Sequence, residues 1–386
     1  MRKLFILSMF FILTSCSFQI TTTNESLITN LITSTDSLTT IDTKETIMPT
    51  TNYQIEKIKL QNTTTLKAKE LFENADVLEN LHYTENSIKL VNPSLDGVYI
   101  SKAMDIDPFM ELVLTWNARI DEFSKITFFI SIGDEANFSD FFIMGYWTEN
   151  YKSSFKNQED DFGKVLIDVL KPKFETSQIK FKILIKSDIN NNTSIKNISL
   201  TTKTSKRSVS INNYQFNESY IDVLAFQQLS IPVFGNRICS PTSLSMVLNY
   251  YNHIVSPSET AGKTYDQGAA IYGNWSFNAS YAGGFDDLQS RVEYIDDLNI
   301  LNNYLVNGIP LILSIRTTDK SDLENSIMAY PSGHLVVLIG LSFSDGVWYA
   351  IVNDPAEYTD EAVTRQYLLS ELIDAWSGYT YVIQTN

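Results

Sequence analysis

The sequence predicts two folded domains in series, an all-β sandwich that is jelly-roll-like, followed by an α+β domain. Residues 55–203 alternate apolar and polar side chains with a period of two, which is typical of half-buried strands. From residue 219 to residue 386 the pattern changes to a mixture of helical and strand-like segments. Residues 204–218, between the two, are polar and aperiodic and are predicted to be a linker.

The sandwich prediction depends on short alternating runs that are separated by turn-prone clusters of Asn, Pro, Gly and Asp. We predict roughly eight strands from this pattern. The clearest alternating runs are residues 112–116, 126–132, 165–169 and 179–185. Short strands with frequent turns indicate an antiparallel sandwich.

The second domain mixes the two periodicities. Residues 241–251 carry apolar side chains at helical spacing. Further helices are predicted at residues 298–306 and 368–376, and strands at residues 311–315, 335–341, 348–352 and 379–383. This mixture predicts an α+β arrangement.

The first residues have the order of a secretory signal. A short positive region precedes an apolar run at residues 4–13, and the run leads into Leu13-Thr14-Ser15-Cys16. The run is too short to span a membrane as a helix. Its last four residues resemble a bacterial lipobox, a signal that is cut before the cysteine, which then carries lipid. We therefore predict a signal peptide at residues 1–15 and lipidation of Cys16.

The predicted location is outside the cytoplasm, as an exported protein that is lipid-anchored to the bacterial cell membrane. Residues 16–54 are rich in Thr, Ser and Asn and are predicted to form a disordered tether after the lipidated cysteine. The net charge of -16 excludes nucleic-acid binding by a basic face and fits a solvated extracellular surface.

Cysteine usage draws attention to Cys239. The chain has two cysteines, and lipidation of Cys16 would leave Cys239 without a disulfide partner in an exported protein. Cys239 stands at the predicted start of a helix and is followed by Ser240 and Pro241, and proline is favoured in a first helical turn. The helix dipole favours a thiolate there, and backbone N–H groups at the same end can hold an oxyanion. We therefore predict that Cys239 is a nucleophile.

A cysteine hydrolase of the usual kind needs a histidine base, and the sequence has three histidines. His82 lies in the predicted sandwich and is interpreted as a surface residue. His253 follows Cys239 by 14 residues, about 21 Å along a helix, which is too far for proton transfer. His334 opens an apolar strand that fixes it on a rigid element. We therefore predict His334 as the base.

The third group of such a site orients the imidazole. Asp354 follows a second strand, and Ser344-Asp345-Gly346 predicts a turn between the two strands. A hairpin of that form brings Asp354 beside His334. Asn353 is the alternative, because an amide can also hold an imidazole. The predicted catalytic set is therefore Cys239, His334 and Asp354.

Several short motifs resemble those of papain-like bacterial cysteine peptidases, and they follow one another in the order expected for that family. These peptidases are related to the double-glycine peptidases, which process bacteriocin leaders. The motifs are Cys239-Ser240-Pro241-Thr242-Ser243, Gly273-Asn274-Trp275, Gly308-Ile309-Pro310, Gly333-His334-Leu335 and Val352-Asn353-Asp354-Pro355. The likeness covers about residues 229–383, and the second and third of these motifs resemble segments of the soluble, secreted branch of the family. The sandwich, with Leu114-Thr115-Trp116, also resembles the domain that precedes such catalytic domains. The resemblance implies a papain-like fold, a Cys-His-Asp site and no cofactor, and it implies no particular substrate.

One feature departs from the family pattern. The family commonly has a glutamine shortly before the cysteine, and its amide donates to the oxyanion. Residues 231–238 contain no glutamine. Gln228, 11 residues before Cys239, and Asn236, three residues before it, are the candidate oxyanion donors, and proximity favours Asn236. Without such a donor the site would be weakened.

The leading functional prediction is a membrane-anchored cysteine hydrolase, a peptidase or amidase, that cleaves a peptide or protein substrate through an acyl-enzyme. An amine in place of water would make it a transferase. The alternative is a catalytically weak or inactive surface lipoprotein whose sandwich binds glycans or other envelope or host ligands. Trp116, Tyr146, Trp147 and Trp275 are candidate sugar platforms, although in a chain with 12% aromatic residues such side chains more often belong to cores.

Overall fold

The computed structural model describes residues 62–134, 137–187, 192–204, 209–211 and 214–386. The predicted signal peptide, the predicted lipidation site Cys16 and the predicted tether at residues 16–54 lie outside the described residues. In the part of the chain that the structure describes, no helix is long and apolar enough to cross a membrane.

Residues 63–203 fold into short antiparallel strands with one short helix. The strands are β1 (Thr63–Lys67), β2 (Ala75–Glu79), β3 (Leu81–Thr84), β4 (Ser87–Leu90), β5 (Gly97–Ser101), β6 (Met104–Phe109), β7 (Glu111–Arg119), β8 (Lys125–Gly133), β9 (Phe142–Trp147), β10 (Lys152–Ser153), β11 (Gly163–Leu166), β12 (Val169–Pro172), β13 (Thr176–Lys186) and β14 (Ser194–Lys203), and the helix is α1 (Ala68–Glu73). The described residues of this region thus hold fourteen strands, against roughly eight predicted, because strands of two to five residues carry too little alternation to be recognised.

The strands form two sheets that pack face to face. One sheet has the order β11-β12-β7-β14-β4-β3, with β1 paired to β14, and the other has the order β10-β9-β8-β13-β5-β2, with β6 paired to β13. Trp116 on β7 of the first sheet stacks on Phe128 on β8 of the second, with ring centroids 4.1 Å apart. Both side chains are buried, so the two inner faces share one core, as a sandwich requires. Its jelly-roll character stays a prediction.

One predicted strand is wrong. Residues 165–169 alternate like a single strand, yet β11 ends at Leu166 and β12 begins at Val169, which pair directly with each other. The turn between them consists of Ile167, with a left-handed φ of 63°, and Asp168. An alternating pattern can continue across a two-residue turn, so the period alone cannot reveal the reversal.

The region after residue 218 combines helices with a third antiparallel sheet. Its elements are β15 (Ser219–Tyr220), α2 (Cys239–Tyr250), α3 (Pro257–Thr264), α4 (Trp275–Ala282), β16 (Leu288–Tyr294), α5 (Leu298–Val306), β17 (Leu311–Ile315), β18 (His334–Ser344), β19 (Val347–Asn353), β20 (Thr364–Leu368), α6 (Leu369–Ala375) and β21 (Trp376–Thr385). The sheet has the order β16-β21-β17-β18-β19-β20, with β15 paired to β18. The predicted α+β mixture is therefore found here.

Apolar periodicity decided which of these elements were foreseen. Helix α5 and strand β17 have the predicted bounds, and the predicted helices around residues 241–251 and 368–376 correspond to α2 and α6. Helix α3 was missed because its sequence, PSETAGKT, is small and polar, and helix α4 because WSFNASYA is buried on most sides and carries no single apolar stripe. Their starts are instead defined by capping, since Ser256 and Asn274 each accept a backbone N–H of the first turn.

The sandwich and the third sheet contact each other directly. Asn117 of β7 donates to the carbonyl of Ser290 at 2.6 Å and accepts the Ser290 N–H at 2.9 Å, like a neighbouring strand. Phe277 of α4 packs against Trp116 and Trp147 in the sandwich core.

Part of the predicted linker is also packed, because Asn217 exchanges hydrogen bonds with Asn302 of α5. The described residues belong to one compact unit, and domain boundaries at 203 and 219 stay predictions.

Candidate active site

Helix α2 presents Cys239 at its first position. The ten residues that follow, 240–249, are all buried, so the helix lies inside the molecule rather than on its surface. The Ser243 hydroxyl donates to the carbonyl of Leu335 at 3.0 Å and ties the helix to β18. Cys239 itself is only half-buried. The thiol is therefore fixed by a buried helix, on a residue that is itself only partly buried.

His334 begins β18 and lies between Cys239 and Asp354. Its Nε2 is 2.7 Å from Oδ1 of Asp354, and the same imidazole is hydrogen-bonded to the Cys239 thiol. Because Nε2 faces the carboxylate, the ring nitrogen that remains for the thiol is Nδ1. The structure therefore brings the three predicted catalytic residues into one row, in the order thiol, imidazole, carboxylate.

The predicted hairpin positions Asp354. Strands β18 and β19 are antiparallel neighbours, with Val337 opposite Asn353, so the residue after Asn353 lies near the start of β18. The alternative, Asn353, is engaged elsewhere: its amide donates to the carbonyl of Val223, and its side-chain oxygen accepts from Thr364. The carboxylate, not the amide, therefore contacts the imidazole.

The Asp354 carboxylate is fully buried and has donors on both oxygens. Oδ1 accepts from His334 and from the backbone N–H of Ala356 at 2.9 Å. Oδ2 accepts from the hydroxyls of Tyr330 at 2.9 Å and Tyr367 at 2.6 Å. Burial opposes ionisation, but His334 and these donors hold the pKa of Asp354 well below its usual range.

The charges of the row favour a thiolate–imidazolium pair. Burial opposes a charged imidazole, but Asp354 and Cys239 outweigh it and raise the pKa of His334 to about 10. Burial also opposes a thiolate, but His334 and the backbone N–H groups of Leu335 and Ser240 lower the pKa of the Cys239 thiol. A cysteine in this state is a nucleophile at neutral pH.

The two candidate oxyanion donors lie in different environments. Asn236 is exposed in a 3-10 turn, Gly235–Arg237, whereas Gln228 is 3% exposed. The Gln228 amide donates to the carbonyl of Gly235 at 2.7 Å, and its backbone N–H donates to Pro355, the residue after Asp354. Gln228 therefore lies between the segment that leads to Cys239 and the turn that carries Asp354, and burial favours it over Asn236.

The remaining predicted candidates lie elsewhere. His253 follows the end of α2 and is hydrogen-bonded to Asp287 at 2.9 Å, and His82 is on β3 of the sandwich.

Trp116 and Trp147 are two of the aromatic side chains predicted to stack against a sugar. Both are buried in the sandwich core and cannot bind a sugar there. Trp275 is half-buried and packs against Tyr379.

Within the described residues, no three His, Cys, Asp or Glu side chains lie close enough together to hold a metal ion.

Sequence reasoning missed Tyr330 and Tyr367, the two hydroxyl donors to Asp354. Tyr330 lies four residues before His334 in a loop, and Tyr367 lies in the short strand β20. Neither position belongs to a motif that the sequence marks. Burial of a tyrosine within polar surroundings is the signal, and it appears only in three dimensions.

Comparison with known proteins identifies a relative of the second region. Residues 220–383 match the model of the Peptidase_C39 like family. No curated protein matches the chain.

Two solved structures are similar to parts of the chain. One is a double glycine motif protease from an AMS/PCAT transporter in complex with the leader peptide, at 17% identity over 45% of this chain and 100% of that chain, with a TM-score of 0.31. The other is TmCBM61 in complex with beta-1,4-galactotriose, at 13% identity over 37% of this chain and 83% of that chain, with a TM-score of 0.19. At these scores neither structure informs the function of this chain. The family match thus shows that residues 220–383 are similar to the Peptidase_C39 like family.

Proposed function

We propose that the chain is a cysteine hydrolase, a peptidase or amidase with a papain-like catalytic domain, in which Cys239, His334 and Asp354 are the catalytic residues. The observation that carries the proposal is the row of these three side chains, with a half-buried thiol at the start of a buried helix. The match of residues 220–383 to a cysteine peptidase family supports it independently.

The geometry supports an acyl-enzyme mechanism. The Cys239 thiolate attacks the carbonyl carbon of the substrate, and the carbonyl electron pair moves to oxygen to give a tetrahedral oxyanion. His334, as imidazolium, donates its proton to the departing amine, and a thioester remains on Cys239. Water then attacks the thioester while His334 takes its proton, and the acid product leaves. Asp354 stays ionised and stabilises the imidazolium throughout.

Two donors are proposed for the oxyanion. One is the backbone N–H of Cys239 at the start of α2, where the helix dipole adds to the hydrogen bond. The other is the side-chain amide of Gln228. Its Nε2 has two hydrogens, and the bond to Gly235 occupies one of them, so the second is available.

The experiment exposes a library of peptides to the wild type and to Cys239→Ala. New peptide termini that form only with the wild type are the expected result. Equal cleavage by both proteins would contradict the assignment of Cys239. Absence of cleavage by either, with an unreactive thiol, would favour the alternative below.

The proposed location is the outer face of the bacterial cell membrane, through lipid on Cys16. The order of charges and apolar residues before Leu13-Thr14-Ser15-Cys16 supports it. Cells grown with labelled palmitate should label the wild type but not Cys16→Ala. Label in both variants would contradict lipidation at this residue.

The alternative is an inactive surface protein that binds glycans through its sandwich. A cavity of about 320 Å³ beside β9 and β10 favours it, lined by Tyr146, Thr148, Tyr151, Ser153 and Phe155. Tyr151 and Phe155 are exposed, and rings beside hydroxyl groups suit a sugar face. Binding on a glycan array that Tyr151→Ala abolishes would support this function.

A further inference from the structure

Two tyrosines contact the catalytic carboxylate, and the mechanism above gives neither of them a role. Tyr330 is in the loop between β17 and β18 and is 5% exposed, and Tyr367 is in β20 and is fully buried. Their hydroxyls lie on the same oxygen, Oδ2 of Asp354, at 2.9 Å and 2.6 Å. Two segments far apart in sequence therefore converge on the one carboxylate that holds the imidazole.

The two hydroxyls complete the coordination of Asp354. Its Oδ1 already accepts from His334 and from the Ala356 N–H, so each oxygen has two donors. A carboxylate held by four donors cannot rotate about its Cβ–Cγ bond without breaking several of them. The plane of the carboxylate, and hence the direction of Oδ1 toward His334, is thereby fixed.

Tyr330 also contacts the histidine itself. Its ring lies parallel to the imidazole, with centroids 4.0 Å apart and planes inclined by 12°. The negative face of an aromatic ring attracts a cation, so this contact stabilises an imidazolium and restricts rotation of the ring. One side chain thus holds both His334 and Asp354.

Tyr330 is itself held by the end of the neighbouring strand. Its backbone N–H donates to the Thr317 hydroxyl at 2.8 Å, and its carbonyl accepts the Thr317 N–H. Thr317 follows β17, whose last residue, Ile315, pairs with His334. The tyrosine is therefore anchored to the same sheet as the imidazole on which it stacks.

We propose that Tyr330 and Tyr367 are positioning residues: their hydroxyls fix the Asp354 carboxylate, and the ring of Tyr330 holds the His334 imidazolium toward Cys239. This inference rests on the proposed function. It adds that the reactive pair depends on two groups that never touch the substrate.

Three variants separate the contributions. Tyr330→Phe and Tyr367→Phe each remove one hydroxyl from Oδ2 and keep the ring, whereas Tyr330→Leu removes both the hydroxyl and the stacked ring. Tyr99→Phe is the control, because its hydroxyl is also buried and donates to a backbone carbonyl, of Leu71, within the sandwich. Thermal unfolding of each variant, compared with this control, shows whether it is folded.

The measurement is the rate of Cys239 alkylation by iodoacetamide as a function of pH. Removal of one donor loosens the Asp354 carboxylate and the imidazolium that it holds, and a less well-placed imidazolium lowers the pKa of the Cys239 thiol less. We expect the acid midpoint to move up by roughly half to one pH unit in each Phe variant, and by more in Tyr330→Leu, with the rate near neutrality falling roughly tenfold in that variant.

The protonation state of His334 gives a second readout. The chain has three histidines, so the imidazole nitrogen resonances can be assigned with His334→Ala. We expect the imidazolium signal of His334 to be lost at lower pH in Tyr330→Leu than in the wild type, and to be unchanged in Tyr99→Phe.

Folded Phe and Leu variants that keep the wild-type midpoint and the wild-type His334 signal would overturn the inference and leave the proposed function intact. A wild type whose thiol is reactive only at alkaline pH would overturn the proposed function, and the inference with it.

Discussion

At the scale of single residues, the site depends on charges that are stabilised by specific partners inside the molecule. Burial opposes the ionisation of Cys239, His334 and Asp354, and the charge of a neighbour shifts the pKa of each one back toward the ionised form. Such a chain is cooperative, so removal of one member affects the others.

The oxyanion donor can be tested at this scale. We expect Gln228→Ala to lower kcat by about 10²-fold, because one preorganised donor to the transition state is lost. Asn236→Ala, at an exposed position, should change kcat by less than about twofold. The assay uses a peptide that the library experiment identifies.

The opposite ranking, with Asn236→Ala the more damaging change, would contradict the assignment of Gln228. Circular dichroism of both variants provides the control for folding, since Gln228 also supports the turn at Gly235.

Residue chemistry explains which site residues the sequence could reveal. Cys239 was identified by its position before a helix, and His334 by the scarcity of alternatives. Sequence distance from Cys239 alone favours Asn236 over Gln228. Gln228 is buried because its side chain bonds to Gly235 and its backbone N–H bonds to Pro355. No local sequence pattern predicts that these two segments lie on either side of it.

At the scale of elements, apolar periodicity predicts the strands and helices that bury one face. It does not predict a short helix whose start is set by a capping residue and whose sequence carries no apolar stripe. The β18–β19 hairpin was foreseen because two apolar runs flank a clear turn. Helix α4 was not, because it is buried on most sides and part of what it packs against belongs to the sandwich. One such contact is the turn of the β11–β12 hairpin, where Asp168 accepts the N–H of Trp275 at 2.5 Å.

Asp168 makes this contact sensitive to pH. Burial, opposed by the N–H groups of Trp275 and Ser276 and aided by the nearby charge of Asp266, raises the pKa of Asp168 to about 7. The folded state therefore retains the Asp168 proton at a pH where the unfolded chain has lost it. Its stabilising contribution is present in acid and is lost as pH rises toward and through 7.

We expect the melting temperature of the wild type to fall relative to Asp168→Asn as pH rises from about 5 to about 8, because asparagine keeps an acceptor and cannot ionise. Asp76→Asn, an exposed carboxylate in β2, is the control. Parallel curves for the wild type and Asp168→Asn would contradict a buried, neutral carboxyl.

At the scale of the whole molecule, the sandwich and the third sheet fold against each other. The sequence indicated two patterns of secondary structure but not their interface, because the contacts involve buried polar groups whose partners are remote in the chain. Asn117, which bonds both backbone groups of Ser290, is the clearest case.

We expect Asn117→Ala to lower the free energy of unfolding by about 2–4 kcal/mol, because two buried backbone groups lose their partner. Asn303→Ala, on the exposed face of α5, should change it by less than about 0.5 kcal/mol. Urea unfolding, followed by fluorescence and circular dichroism, should show one transition. Two transitions, of which only one responds to Asn117, would indicate independent domains.

The most direct test of the central claim is the pH dependence of Cys239 alkylation in the wild type and in His334→Ala. An unperturbed thiol has a pKa near 8.5, so its reactivity fades between pH 8 and pH 5. A thiolate–imidazolium pair predicts that the wild type stays reactive at pH 5 to 6 and that the variant does not. A wild type that follows the curve of an ordinary thiol, or a variant that matches the wild type, would contradict the pair and with it the proposed hydrolase.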